Sequence, residues 1–185
     1  MTEEKKAGIE EKLLEFPLAE YAYIRPEELT FPDRVRYICK TECPRYNTSW
    51  ACPPAVGTVE ECRERCLSYE EGFMFTTFSE VPDIANLEET LTFREEHERI
   101  TRQIREIFRE EGFEVLGLST ESCAICGECA YPAAPCRHPD KMFPCVESYG
   151  ILVTELAERH GIQFLYGGNV VTWFSLLLLK ERKDS

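Results

Sequence analysis

At 185 residues the chain can bury an apolar core without covalent crosslinks, so its 10 cysteines exceed what stability requires. With 34 Asp and Glu against 21 Lys and Arg, the net charge of -13 repels nucleic-acid phosphates and anionic lipid, which argues against a role on either.

The N-terminal stretch MTEEKKAGIEEKLLEF is charged and lacks the apolar core of a secretory signal, giving the expectation of a cytoplasmic protein. In a reducing compartment, clustered cysteines serve more often as metal ligands or redox groups than as disulfides. Residues 3–14 have helical composition, and LAEYAYI (18–24) has the β-branched and aromatic content of a strand. A loop carrying Cys39, Cys43, Cys52 and the Pro53-Pro54 pair follows. Thr58 with Glu61 forms a capping-box signature that starts a helix running to about Gly72, and FMFTTFSEV (73–81) reads as a strand.

The longest helix is expected over residues 84–111. Leu87, Leu91, Ile100, Ile104, Ile107 and Phe108 recur at helical spacing, Glu95 with Arg99 and Glu98 with Arg102 form i,i+4 pairs, and Gly112 is a natural stop. His97 and His160 are expected at the surface. FEVLGLS (113–119) is a short strand leading into the second cysteine segment. A helix is expected over 146–160, then a β-hairpin of IQFLY, a Gly167-Gly168-Asn169 turn and VVTWFSLLLL. The apolar run 170–179 is far below the ~20 residues of a membrane-spanning helix. These elements predict an α/β or α+β fold: one domain over residues 1–185, with a mixed β-sheet flanked by helices and two projecting cysteine loops, 39–57 and 120–145.

Cys123, Cys126 and Cys129 have C-x2-C-x2-C spacing, with Cys136 further on. Thiolates at successive short spacings curl around one centre, and small residues such as Ala124 and Gly127 let backbone amides approach it. That pattern favours a [4Fe-4S] cluster, whose iron corners take successive cysteines, over zinc, which is usually served by separated C-x2-C pairs. Bacterial ferredoxins leave three residues before the fourth cysteine of their motif and this chain leaves six, so the likeness to them is partial. Pro132 and Pro135 keep the intervening segment out of a helix. Cys145 reads as a reserve ligand, a reactive thiol or a buried cysteine.

Cys39, Cys43 and Cys52 lie in a loop rich in Pro, Asn and Ser, where a second metal centre explains them better than core packing does. Cys62 is the first choice for its fourth ligand, although Cys62 and Cys66 share a helical face and either can simply pack. Cys52, followed by proline, can alternatively cross to the other cluster. Tyr46, Trp50, Tyr131 and Phe143 are candidates to shield a cluster or to pack the loops. His138 is a candidate hydrogen-bonding neighbour, and Arg45 and Arg137 could offset cluster charge. No nucleotide-binding glycine motif is present.

The segments YICKTECPRYNTSWACPPAVG and CAICGECAYPAAPCRHP carry a family resemblance. Through Cys43 to Tyr46, the Cys52-Pro53-Pro54 triplet and Cys136 to Pro139, the chain resembles a cysteine-rich domain-of-unknown-function family described as predicted metal-binding proteins, common in anaerobic bacteria and archaea. The likeness extends over roughly residues 30–178. It implies metal-binding roles for Cys39, Cys43, Cys52, Cys123, Cys126, Cys129 and Cys136, and it does not include Cys62, Cys66 or Cys145.

The resulting expectation is an iron–sulfur protein with two [4Fe-4S] clusters, acting in electron transfer or as a redox accessory to an anaerobic enzyme. Its acidity suits a redox partner with a basic docking surface. Two alternatives stand beside it: an enzyme with a three-cysteine cluster and an open iron, and a zinc-binding structural or regulatory protein.

Overall fold

In the computed structural model, which describes residues 1–182, one sheet contains β1 (Glu20–Ile24), β2 (Glu71–Glu80), β3 (Phe113–Leu118) and β4 (Val170–Glu181). Their spatial order is β1-β2-β4-β3. Around the sheet lie α1 (Glu3–Leu13), α2 (Asp33–Thr41), α3 (Val59–Leu67), α4 (Leu87–Glu110) and α5 (Val153–Arg159). The mixture of strand directions that the sequence suggested reduces to one isolated parallel bridge, Ser119 with Cys145; all three strand pairings are antiparallel. Of the two expected classes, the chain is therefore α+β.

The sequence of β4 explains its place at the centre. Leu176, Leu177, Leu178 and Leu179 are all fully buried, and successive strand residues point to opposite faces. A strand apolar on both faces is stable only where layers cover both sides of the sheet. Leu176 and Leu178 pack with Met74, Phe174, Cys62, Cys66, Tyr149 and Ile151. Leu177 and Leu179 pack with Phe73 and Phe75, with Ile9 and Leu13 of α1, and with Ile100, Ile104 and Phe108 of α4. Each buried leucine contributes about 1.5–3 kcal/mol.

The expected hairpin of residues 162–166 with β4 does not form. Both edges of β4 are taken by longer partners: β2 pairs with it from Glu71–Leu179 to Glu80–Val170, and β3 from Phe113–Glu181 to Leu118–Leu176. Phe164 instead packs against the core on the Cys62 side, and Gly167 and Gly168, at φ +77 and +58, turn the chain into β4.

The helix expected over 146–160 is also divided. A 3-10 turn, Glu147–Tyr149, ends at Gly150, whose φ of +85 a side chain tolerates poorly, and α5 begins three residues later. The break lets Leu152 N–H bond the Thr30 carbonyl, and it leaves residues 145–149 lying over the first cysteine segment instead of leading away from it.

Helix α4 keeps its expected register through Ile100, Ile104 and Phe108, although Leu87 is exposed. Arg102 pairs with Glu98 as expected, while Arg99 pairs with Glu96. His97 is a correction. It lies in the core, 1% exposed, because Thr77 and Ser175 hydroxyls on the sheet meet its two ring nitrogens at 2.8 Å each. His160 is held by Glu28 at 2.9 Å.

Candidate metal centres

Cys39 does not sit in a loop. It belongs to α2, where Val35, Ile38 and Cys39 fall on one face at i, i+3 and i+4 and all line the same cavity. The chain leaves α2 through Cys43 and returns past Cys52, which is held close by the Asn47 N–H bond to the Pro53 carbonyl. The cavity measures about 350 Å³, within the range of small-molecule and cofactor sites. Its walls include Cys39, Cys43, Cys52 and, from a distant part of the chain, Cys145.

Three contacts fix Cys145 there. Its N–H donates to the Ala51 carbonyl beside Cys52, the Ser119 N–H bonds the Pro144 carbonyl, and Val146 N–H bonds the Ser119 carbonyl. The Cys145 thiol donates to Glu147 Oε2 at 2.7 Å, while the Cys39 thiol reaches the Glu147 carbonyl at 3.8 Å. Burial pushes the Cys39 thiol up to about 11, with Cys43 adding to the effect, and raises Cys145 well above the usual thiol range. The Arg36 guanidinium donates to the carbonyls of Ser148 and Gly57, tying the 3-10 turn to the loop after Cys52 and placing a cation near Cys39 and Cys62.

Cys62, expected as a ligand of this centre, is not brought to the cavity. It is 0% exposed on α3, with its thiol bonded to the Val56 carbonyl at 3.4 Å among apolar neighbours, and Cys66 lies in the same cluster. The i,i+4 pair faces the sheet because α3 uses that face to cover Leu176 and Leu178. Burial raises both thiols, Cys66 to about 12.

Cys123, Cys126, Cys129 and Cys136 line a second, much tighter cavity of about 20 Å³, together with Ser49, Trp50, Ala51, Arg137, His138 and Met142. All four expected donors of the second set are thus on one site. Trp50 stacks edge-on against Tyr131 at 5.0 Å and donates to the Ala134 carbonyl, while the Tyr131 hydroxyl bonds Asn47 Oδ1. These aromatic groups join the two cysteine segments. Phe143 packs against Gly117 of β3, and Arg137 donates to the Glu128 carbonyl. Tyr46 and Arg45 line the first cavity.

The two cavities are neighbours. Residues 49–51 wall the second and residues 52–53 the first, so one short segment separates them. Residues 120–122 line the first and Cys123 the second in the same way. Ser49 and Ser122 hydroxyls meet at 3.2 Å, and the Cys52 thiol reaches Ser122 Oγ at 3.2 Å. Arg94 of α4 donates to the Ser122 carbonyl and pins this crossing to the helix layer.

All ten cysteines are free thiols. No three His, Cys, Asp or Glu side chains among the described residues converge on the point a single ion would occupy; the thiols are spread around cavities. No helix among the described residues is long and apolar enough to cross a membrane.

A family model matches residues 22–179, most of the chain and both cysteine segments. The chain belongs to that family, described as predicted metal-binding protein (DUF2284). No curated protein and no solved structure matches it. The donor chemistry of this DUF2284 protein fits the description: two groups of soft thiol donors face two cavities lined in part by apolar or aromatic side chains. Glu147, Ser122, Arg36 and Arg94 escaped the sequence reading, since each acts through contacts with segments remote in the chain.

Proposed function

We propose that this protein binds two [4Fe-4S] clusters and carries electrons between protein partners or to an anaerobic enzyme. The observation that supports this most is the adjacency of two thiol-lined cavities across residues 49–53 and 120–123. Cys39, Cys43 and Cys52 would hold one cluster, and Cys123, Cys126, Cys129 and Cys136 the other. When bound, such clusters supply one-electron storage at potentials set by hydrogen bonds to sulfur and by solvent exposure.

The chain's own residues serve that role in several ways. Trp50 and Tyr131 tie the two cysteine segments together, Ser122 places a hydroxyl between the two sites, and Arg36 supplies positive charge beside Cys39. The net charge of -13 suits transient docking on a basic redox partner, where electrostatic attraction speeds encounter. A cytoplasmic location accords with free thiols and ligand chemistry that requires reduced cysteine.

A second reading, catalysis at an iron left open by three thiolates, draws on the roughly 350 Å³ of the first cavity. Zinc is favoured less, because the C-x2-C-x2-C spacing of Cys123, Cys126 and Cys129 differs from the separated C-x2-C pairs that usually serve a single zinc ion. Anaerobic reconstitution followed by iron and acid-labile sulfide analysis tests the main reading. About eight of each per chain is expected for two cubes; stoichiometric zinc without sulfide would reject it.

A further inference from the structure

Three thiols reach the first cavity from residues 39–52, and the fourth thiol on its wall comes from the other end of the chain. We infer that Cys145 is the fourth ligand of the first centre, closing it as a four-thiolate site. This rests on the iron–sulfur reading above and favours its electron-carrier form over the open-iron alternative.

The placement of Cys145 is built, not incidental. Its backbone is bonded on one side to Ala51, the residue preceding Cys52, and its segment on the other side to Ser119 at the end of β3. Ser119 is itself 0% exposed and held by the Ser175 hydroxyl of β4 at 3.1 Å, so the central sheet fixes the height at which Cys145 enters the cavity. Glu147, two residues on, touches both flanks of the site: its carboxylate accepts from the Cys145 thiol and its carbonyl from Cys39. Gly150, by ending the 3-10 turn, keeps Glu147 and Cys145 on this side. Cys62 has no comparable position, since its thiol is spent on the Val56 carbonyl within the core.

The test compares wild type, Cys145→Ser and Cys62→Ser after anaerobic reconstitution, each read by iron content and by EPR in the oxidised and reduced states. Wild type is expected to hold about eight irons, and Cys145→Ser about seven, with the signal of an oxidised three-iron cluster appearing and the second cluster's signal unchanged. Cys62→Ser is expected to match wild type. Equal iron and identical spectra in Cys145→Ser and wild type would overturn the inference while leaving two clusters in place. A wild type that binds no iron and sulfide would instead remove the reading beneath it.

A second measurement needs no variant. Alkylation of the wild-type protein is mapped by mass spectrometry with clusters loaded and after their removal. Cys145 is expected to be protected at least tenfold by loading, together with Cys39, Cys43 and Cys52. Modification of Cys145 at the same rate in both states, while those three are protected, would contradict its role as a ligand even if Cys145→Ser fails to fold.

Discussion

The Cys52 thiol and the Ser122 hydroxyl lie 3.2 Å apart, at the crossing of the two cysteine segments. Ser122 immediately precedes Cys123, so a group bonded to a sulfur of one site is one peptide away from a sulfur of the other. Ser49 completes the contact from the Cys52 side. On the proposed reading, with a metal in place of the Cys52 proton, the Ser122 hydroxyl would be the available donor to that sulfur. Hydrogen bonds to ligand sulfur stabilise the more negative, reduced cluster. Ser122→Ala is therefore expected to make the first centre's potential more negative by tens of millivolts, on the order of the ~59 mV that corresponds to a tenfold change for one electron. Spectroelectrochemical titration measures it, and an unchanged potential would show that the hydroxyl does not act on the sulfur.

Cys62 and Cys66 are expected to behave as core residues. Cys66→Ser buries a hydroxyl among Leu176, Leu178 and their neighbours and should cost about 1–3 kcal/mol. Cys62→Ser should cost less, because the new hydroxyl inherits the Val56 carbonyl as acceptor. Denaturant unfolding gives both values, and iron content should remain that of wild type in each.

His97 gives the core a dependence on pH. Burial is the main cause that lowers its pKa to about 3, with repulsion from Arg94 adding, so the folded protein holds the ring neutral between Thr77 and Ser175. Unfolded, the ring titrates near 6.5. The unfolded chain thus binds the extra proton between about pH 3 and 6.5. The contribution of His97 is fully present above pH 6.5 and declines as pH falls through that window, by at most about 1.4 kcal/mol per unit. His97→Gln should flatten this part of the stability profile relative to wild type, measured on both proteins without metal so that cluster loss does not enter.

Gly117 permits the Phe143 ring to approach β3 closely: a Cβ there would meet Phe143 Cε1 at 2.5 Å and Cδ1 at 2.7 Å. Gly117→Ala is expected to push the ring away and to cost about 1–3 kcal/mol as overpacking does. Because Phe143 lies between the second cysteine segment and Cys145, the same substitution should also speed hydrogen exchange in residues 140–146. Thermal unfolding and exchange mass spectrometry read the two effects separately.

Four of the expected donors, within residues 123–136, line one cavity, because their short spacing keeps them close in space. The sequence carried three donors of the first cavity for a similar reason. The remaining wall was out of its reach: Cys145 arrives through the Ser119 bridge and the Gly150 break, which are properties of the folded sheet. Helix α2 was hidden because it is short and begins after Pro32 without a side-chain cap. The apolar run of β4 announced a buried strand, but periodicity is silent on which strand lies beside it, and the five residues 162–166 lost that place to β2 and β3. His97 read as a surface residue because its polar partners, Thr77 and Ser175, lie on the sheet and are far away in sequence.

EPR of the anaerobically purified protein after reduction tests the central claim most directly. Two clusters separated only by residues 49–53 and the Ser122–Cys123 link are expected to interact magnetically, giving a broadened, split spectrum. A colourless, EPR-silent protein carrying zinc, or one simple uncoupled signal from a single cluster, would contradict the account.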